Sequence, residues 1–138
     1  MQSLIGGACS GRRRLALERF PNARWHRLAA GEDAAACLEA QGGGEVLVVD
    51  GIADWLAAAL AETPDDDTLR DTWLGLLDGL AAAPGEAVLI LDEMGRGIVP
   101  MDPMARRLRD HNGWLVQAAA ARSHTVWQLR HGLCKQLK

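Results

Sequence analysis

Three short runs in this chain are almost unbroken in aliphatic residues: Val46 to Asp50, Ala87 to Asp92 and Thr125 to Leu129. A strand with one face in water alternates apolar and polar residues, whereas a strand covered on both faces does not. These runs therefore predict strands buried between two layers. Met1 to Ile5 offers a further strand at the start, and Arg24 to Leu28 a short one at a sheet edge. Helical stretches lie between them. Asp33 to Gln41 is alanine-rich and stops at Gly42-Gly43-Gly44, and Ala53 to Ala61 follows the next strand. Thr63-Pro64-Asp65-Asp66-Asp67 reads as a loop. From Thr68, the residues Leu69, Trp73, Leu76, Leu77 and Leu80 recur at helical spacing, with Thr68 and Asp71 placed as a capping box. The last helix begins near Pro103 and carries Met104, Leu108, His111, Leu115 and Ala118 on one face. Such alternation predicts one α/β domain over residues 1–138, a parallel sheet in three layers with helices on both sides.

In sheets of this kind ligands bind beyond the carboxyl ends of the strands. The first strand runs into Gly6-Gly7-Ala8-Cys9-Ser10-Gly11-Arg12-Arg13. In outline this is a P-loop, GxxxxGK[ST], whose backbone N–H groups wrap a di- or triphosphate. The glycines are correctly spaced, but the lysine has become Arg12 and the metal-binding hydroxyl Arg13. Arg12 keeps the charge that binds phosphate, in a bulkier planar form. Arg13 has no lone pair for a metal. Like charges ~4 Å apart repel by ~4 kcal/mol at an effective dielectric near 20, so Arg13 must point away or stand in for the metal. The same octapeptide also fits a glycine-rich turn that merely joins a strand to a basic helix.

Asp50 ends the second long strand, where a P-loop protein keeps the Walker B carboxylate that holds Mg²⁺, and where an ordinary turn residue also fits. Gly95 and Gly97 follow the third strand and suit a turn with positive φ. Cys9 is either a small residue that fits the loop or a thiol acidified by loop dipoles.

Composition narrows the function classes. The chain is 49% hydrophobic and 24% charged with net charge −3, and the Arg12-Arg13-Arg14 cluster is isolated in a mildly acidic chain, so no nucleic-acid partner is expected. No run approaches a membrane span, and Glu18 and Arg19 interrupt the apolar residues after the arginines, which rules against a secretory leader. Cys9, Cys37 and Cys134 have no CxxC spacing and the four histidines no HxxxH pairing, so neither a disulfide framework nor a zinc site is expected. A reducing cytoplasm fits best.

The third strand continues as Asp92-Glu93-Met94-Gly95-Arg96-Gly97-Ile98-Val99-Pro100, then Arg106-Arg107-Leu108-Arg109-Asp110-His111-Asn112-Gly113-Trp114-Leu115-Val116-Gln117, and later Gly132 and Lys135. This order resembles the adenosylcobinamide kinase / adenosylcobinamide-phosphate guanylyltransferase family of cobalamin biosynthesis, with its NEVGxGIVP signature and RxFRDxxGxxNQ helix. The family's GGARSGKS also resembles Gly6 to Arg13. The resemblance implies a RecA-like P-loop NTPase sheet, here reduced, and a trimer or other homo-oligomer. It implies phosphorylation of adenosylcobinamide, then GMP transfer through a guanylylated histidine.

Several dozen residues of the family pattern, including that histidine, are absent between the loop helix and Trp25, and His26 does not match it. The signature Asn is Asp92, and the Asn before Gln117 is Val116. Two readings follow. In the first, the chain is a reduced kinase acting on GTP or ATP with Mg²⁺. Arg12 and Asp50 are then catalytic, Asp50 holds the metal and Gly6 to Arg13 bind the nucleotide. Glu93, Gly95, Gly97, Pro100, Arg109 and Asp110 meet substrate or nucleotide. In the second, it is a non-catalytic binding or scaffold subunit that keeps nucleotide or corrinoid affinity, or only an oligomer interface.

Overall fold

A computed structural model describes residues 1–40 and 42–138. The chain runs β1 (Gln2–Gly6), α1 (Arg12–Arg19), β2 (Arg24–Arg27), α2 (Ala34–Glu39), β3 (Leu47–Asp50), α3 (Ile52–Glu62), α4 (Asp66–Ala82), β4 (Ala87–Asp92), α5 (Pro103–Arg122), β5 (Thr125–Arg130) and β6 (Leu133–Gln136). Among the described residues the strands form one sheet in the order β2-β3-β4-β1-β5-β6. Every neighbouring pair is parallel except the β5–β6 hairpin. β4 stands between the loop strand β1 and the strand that ends in Asp50, which is the RecA-like arrangement.

The two faces of the sheet are covered unequally. Ile5, Leu47, Val49, Leu89 and Leu91 pack against the helices α2 to α5, into which Trp55, Leu56, Trp73, Leu77 and Leu115 are buried. Leu4, Val48, Val88, Ile90 and Leu129 face the other way, onto Ala16 of the eight-residue α1. Two of the runs read as doubly covered strands, β3 and β4, are buried on both faces because of this sandwich, whereas in β5 only Val126 and Leu129 are buried, since its far side carries just the exposed β6.

Local differences from the sequence expectations have physical reasons. α4 starts earlier than Thr68: Asp65 is its N-cap and accepts from the Thr68 N–H at 2.8 Å, so Asp66 and Asp67 belong to the first turn and there is no Thr68–Asp71 capping box. α2 is capped by Asp33, which accepts from Ala35 N–H, and the expected helix end at Gln41 lies outside the described residues. On α5 the buried residues are His111, Asn112, Leu115 and Ala119, while Met104 stays 46% exposed. β6 was not foreseen. All four of its residues are exposed, and it forms through a two-residue turn in which His131 (φ 53°) and Gly132 (φ 76°) are both left-handed.

His111 is fully buried and joins a polar network rather than an apolar stripe. Trp73 Nε1 donates to its Nδ1 at 3.4 Å, which leaves Nε2 to donate to Asp66 at 2.9 Å. Arg107 also reaches Asp66, at 2.6 Å, and donates to the carbonyls of Leu60 and Thr63 at the end of α3. Hydrogen bonds from His111 and Arg107 hold the Asp66 carboxyl below the usual range. The network thus fastens the α3–α4 junction to α5, one edge of the helical layer behind the sheet.

The thiols divide sharply. Cys9 and Cys134 are exposed, whereas Cys37 is buried and desolvation pushes it up to about 12. In a native-state titration with an aromatic disulfide reagent near neutral pH, two thiols should react promptly and the third only after denaturant is added. Three fast thiols would mean that α2 does not hold Cys37 inside.

Candidate functional site: the loop and cleft at the carboxyl end of the sheet

The loop between β1 and α1 is folded by three close approaches. A Cβ on Gly6 would lie 2.6 Å from the Leu129 carbonyl oxygen and 2.5 Å from Ser10 Oγ, so only glycine lets the chain leave β1 here. Cys9 (φ 57°) and Gly11 (φ 98°) adopt left-handed conformations that turn the backbone back into α1, and Ser10 N–H donates to Gly7 O at 3.3 Å. The β5–β6 turn braces the loop from outside, with Gly132 N–H donating to Ser10 O at 3.1 Å and Arg14 Nη2 to Gly132 O at 3.3 Å.

Beside the loop lies a cleft of about 480 Å³, whose wall includes Ala8 to Arg14, Asp50, Gly51, Asp54 and Asp92. The structure thus brings together the loop from Ala8 onward and Asp50, as the sequence suggested. Asp92, which opens the signature segment, also lines it, and Asp54 is added. Two ion pairs cross the cleft. Arg12 Nη2 lies 2.6 Å from Asp92 Oδ1 at the end of β4, and Arg12 Nη1 donates to the Leu91 carbonyl. Arg13 Nε lies 2.6 Å from Asp50 Oδ2 at the end of β3. The second oxygen of Asp50 accepts from Gly51 N–H at 2.8 Å, where Gly51 (φ 79°) opens α3. Arg12 is nearly enclosed, with 12% of its side chain exposed, whereas Arg13 is 59% exposed. The hydrogen bond and charge of Asp50 hold the Arg13 guanidinium even more firmly protonated than usual.

The remaining sequence candidates sit outside the wall of this cleft. Glu93 N–H donates to Gly6 O at 2.9 Å, and its carboxylate pairs with Arg96 at 2.7 Å. Gly95 (φ 94°) packs under the Arg109 side chain, whose guanidinium pairs with neighbouring Asp110 at 2.9 Å. Arg106 donates to Pro100 O at 3.0 Å and Met101 O at 2.7 Å, and Asn112 Nδ2 to Asp92 O at 2.8 Å, so α5 holds both ends of the segment. Gly97 has open space around it, and Ile98 and Met101 are almost wholly exposed. Sequence reasoning missed the pairing role of Asp92. The available signal was an acidic residue ending a buried strand, as Asp50 does.

Could Mg²⁺ sit here? The donor chemistry does not suit it. Arg13 replaces the hydroxyl, Asp50 has both oxygens engaged, and among the described residues no group of three or more His, Cys, Asp or Glu side chains is gathered to hold a metal. The cleft can bind an anion through loop amides and guanidinium groups. To do so, the anion must compete with two carboxylates.

The sequence profile of cobinamide kinase / cobinamide phosphate guanyltransferase matches residues 12–137. The chain belongs to this family. The match starts at Arg12, so the loop glycines lie outside it. The chain is 35% identical over 117 residues to the bifunctional adenosylcobalamin biosynthesis protein CobP of Pseudomonas aeruginosa, a stretch covering 84% of this chain and 67% of that protein. It is 32% identical over 84 residues to CobU of Salmonella typhimurium, covering 61% of this chain and 44% of CobU. With CobU of Escherichia coli it shares 35% identity over 63 residues, 46% of this chain and 35% of that protein. The family membership agrees with the observed sheet and with the signature segment. No helix among the described residues is long and apolar enough to cross a membrane.

Proposed function

We propose that this protein is a nucleotide-binding member of the family, serving the assembly of the cobalamin nucleotide loop without carrying out guanylyl transfer. The observation that carries the reading is the cleft itself. The glycine loop, turned back by left-handed Cys9 and Gly11, opens on it, yet the two positions that follow its last glycine are arginines paired with Asp92 and Asp50. Backbone amides and guanidinium groups suit the phosphates of GTP or ATP.

A covalent guanylyl route needs a nucleophile that attacks the α-phosphorus. The histidine nearest in sequence to the loop, His26, lies on the edge strand β2 with Nε2 2.6 Å from Glu32, and His26 does not line the cleft. Without a metal-binding hydroxyl, the kinase step on adenosylcobinamide lacks the usual charge neutralisation. The test is incubation with α-labelled GTP beside calorimetric titration with GTP and ATP. Nucleotide binding with no label retained on the protein is the expected result. A phosphoramidate label mapped to any histidine refutes the loss of guanylyl transfer. A folded protein that binds neither nucleotide leaves the scaffold reading, which the neutralised arginines favour.

A further inference from the structure

We propose that Arg13 has taken the place of the divalent cation, so that the site prefers a metal-free polyphosphate and Mg²⁺ weakens binding instead of promoting it. The inference rests on nucleotide binding at this cleft and specifies the form of the ligand.

In a metal-dependent P-loop the cation sits between the hydroxyl that follows the lysine and the carboxylate that ends a neighbouring strand. Here those two positions are joined directly. Arg13 Nε lies 2.6 Å from Asp50 Oδ2, and Gly51 N–H occupies the other oxygen. A divalent ion placed between them would have to break that pair and lie beside a fixed guanidinium. The cationic role remains, supplied by a group that cannot lose its proton. With 59% of its side chain exposed, Arg13 can keep Asp50 on one edge and offer other N–H donors to a phosphate. Arg12 is held on Leu91 O and by its ion pair with Asp92 beneath the loop, so Arg13, the more exposed of the two, is the cation free to meet a phosphate.

The loop itself holds one unsatisfied group. Ser10 is only 6% exposed and contributes to the cleft wall, yet its Oγ has no hydrogen-bond partner among the described residues. Its Oγ lies against Gly6, sealed from solvent, so a phosphate oxygen becomes its acceptor only if the loop opens slightly around the ligand.

The sign of the metal effect follows from charge. Free GTP carries about four negative charges near neutral pH, and bound Mg²⁺ cancels about two of them. Mg²⁺ and Arg13 therefore compete for the same oxygens. Titrations of the full chain with GTP and with inorganic tripolyphosphate, each in EDTA and in excess Mg²⁺, test this. The expected result is binding of both in EDTA and affinity about threefold to tenfold weaker with Mg²⁺. Asp50→Asn keeps an acceptor for Gly51 N–H while removing the charge that competes for Arg13, so it should tighten metal-free binding about threefold or more.

If GTP binds more tightly with Mg²⁺, or Asp50→Asn abolishes binding in a protein whose melting curve is unchanged, the inference fails and nucleotide binding stands. If nothing binds in either buffer, both readings fail together. Should Asp50→Asn not fold, Arg13→Ser decides. It restores the hydroxyl and frees Asp50, and should weaken binding in EDTA while making Mg²⁺ favourable. An unchanged response to Mg²⁺ in that variant overturns the proposal.

Discussion

Replacing Trp73 with alanine should cost about 3–5 kcal/mol of folding stability, a large share of the roughly 5–15 kcal/mol available to a domain of this size. Trp73 is only 2% exposed and belongs to the buried cluster of the helical layer with Leu69, Leu76, Leu77 and Leu115, so its removal opens a cavity in that core. It also withdraws the donor to His111 Nδ1, which has no route to solvent because His111 is 0% exposed. Denaturant titrations of Trp73→Ala and Trp73→Phe separate these two losses. The phenylalanine variant fills most of the space and removes only the Nε1–H bond, so it should recover more than half of the deficit. An alanine variant weakened by less than about 1 kcal/mol would show that this core collapses around the gap.

A second large effect is expected at the loop. Gly6→Ala forces a methyl group against the Leu129 carbonyl, a backbone atom of the adjacent strand that cannot rotate aside. Overpacking of this kind costs about 1–3 kcal/mol, and the loop must shift away from β5 to relieve it. Nucleotide binding in EDTA should then fall about 100-fold or more, because the amides no longer converge on one phosphate. Gly7→Ala is the control: a Cβ there meets nothing within 4 Å and the backbone φ is not positive. It should leave the melting temperature nearly unchanged. Equal damage from both variants in melting experiments would mean that strand spacing at Leu129 is not what Gly6 protects.

The strands most legible in the sequence were those with the least choice. β3 and β4 fall within a residue of the predicted runs because a segment buried on both faces must be apolar throughout, and β1, β2 and β5, less completely buried, fall within a residue as well. β6 was invisible for the converse reason: Leu133, Cys134, Lys135 and Gln136 are all exposed, so nothing in their polarity records the pairing. The start of α4 was misread because Asp65-x-x-Thr68 and Thr68-x-x-Asp71 are equally good caps on paper. The Asp66 bonds to His111 and Arg107, two residues of α5, are consistent with the earlier start. At the site, glycine spacing announced the loop. What could not be read was that Arg12 and Asp92 meet across 80 residues, since that depends on β4 lying next to β1.

That adjacency also orders events during synthesis. The first strand of the chain is an inner strand of the sheet, flanked by β4 in the register Gln2↔Val88 and by β5 in the register Gln2↔Thr125. Neither side of β1 can pair until segments about 86 and 123 residues downstream, Val88 and Thr125 for Gln2, have been made. Loop closure over such distances is slow, and parallel pairing gives no local hairpin to hold a partial structure meanwhile. On the ribosome, Leu4 and Ile5 therefore remain without their strand partners until β4 and β5 have emerged. The loop that follows β1 is translated before either strand that will flank it and, of necessity, is among the last segments to take shape.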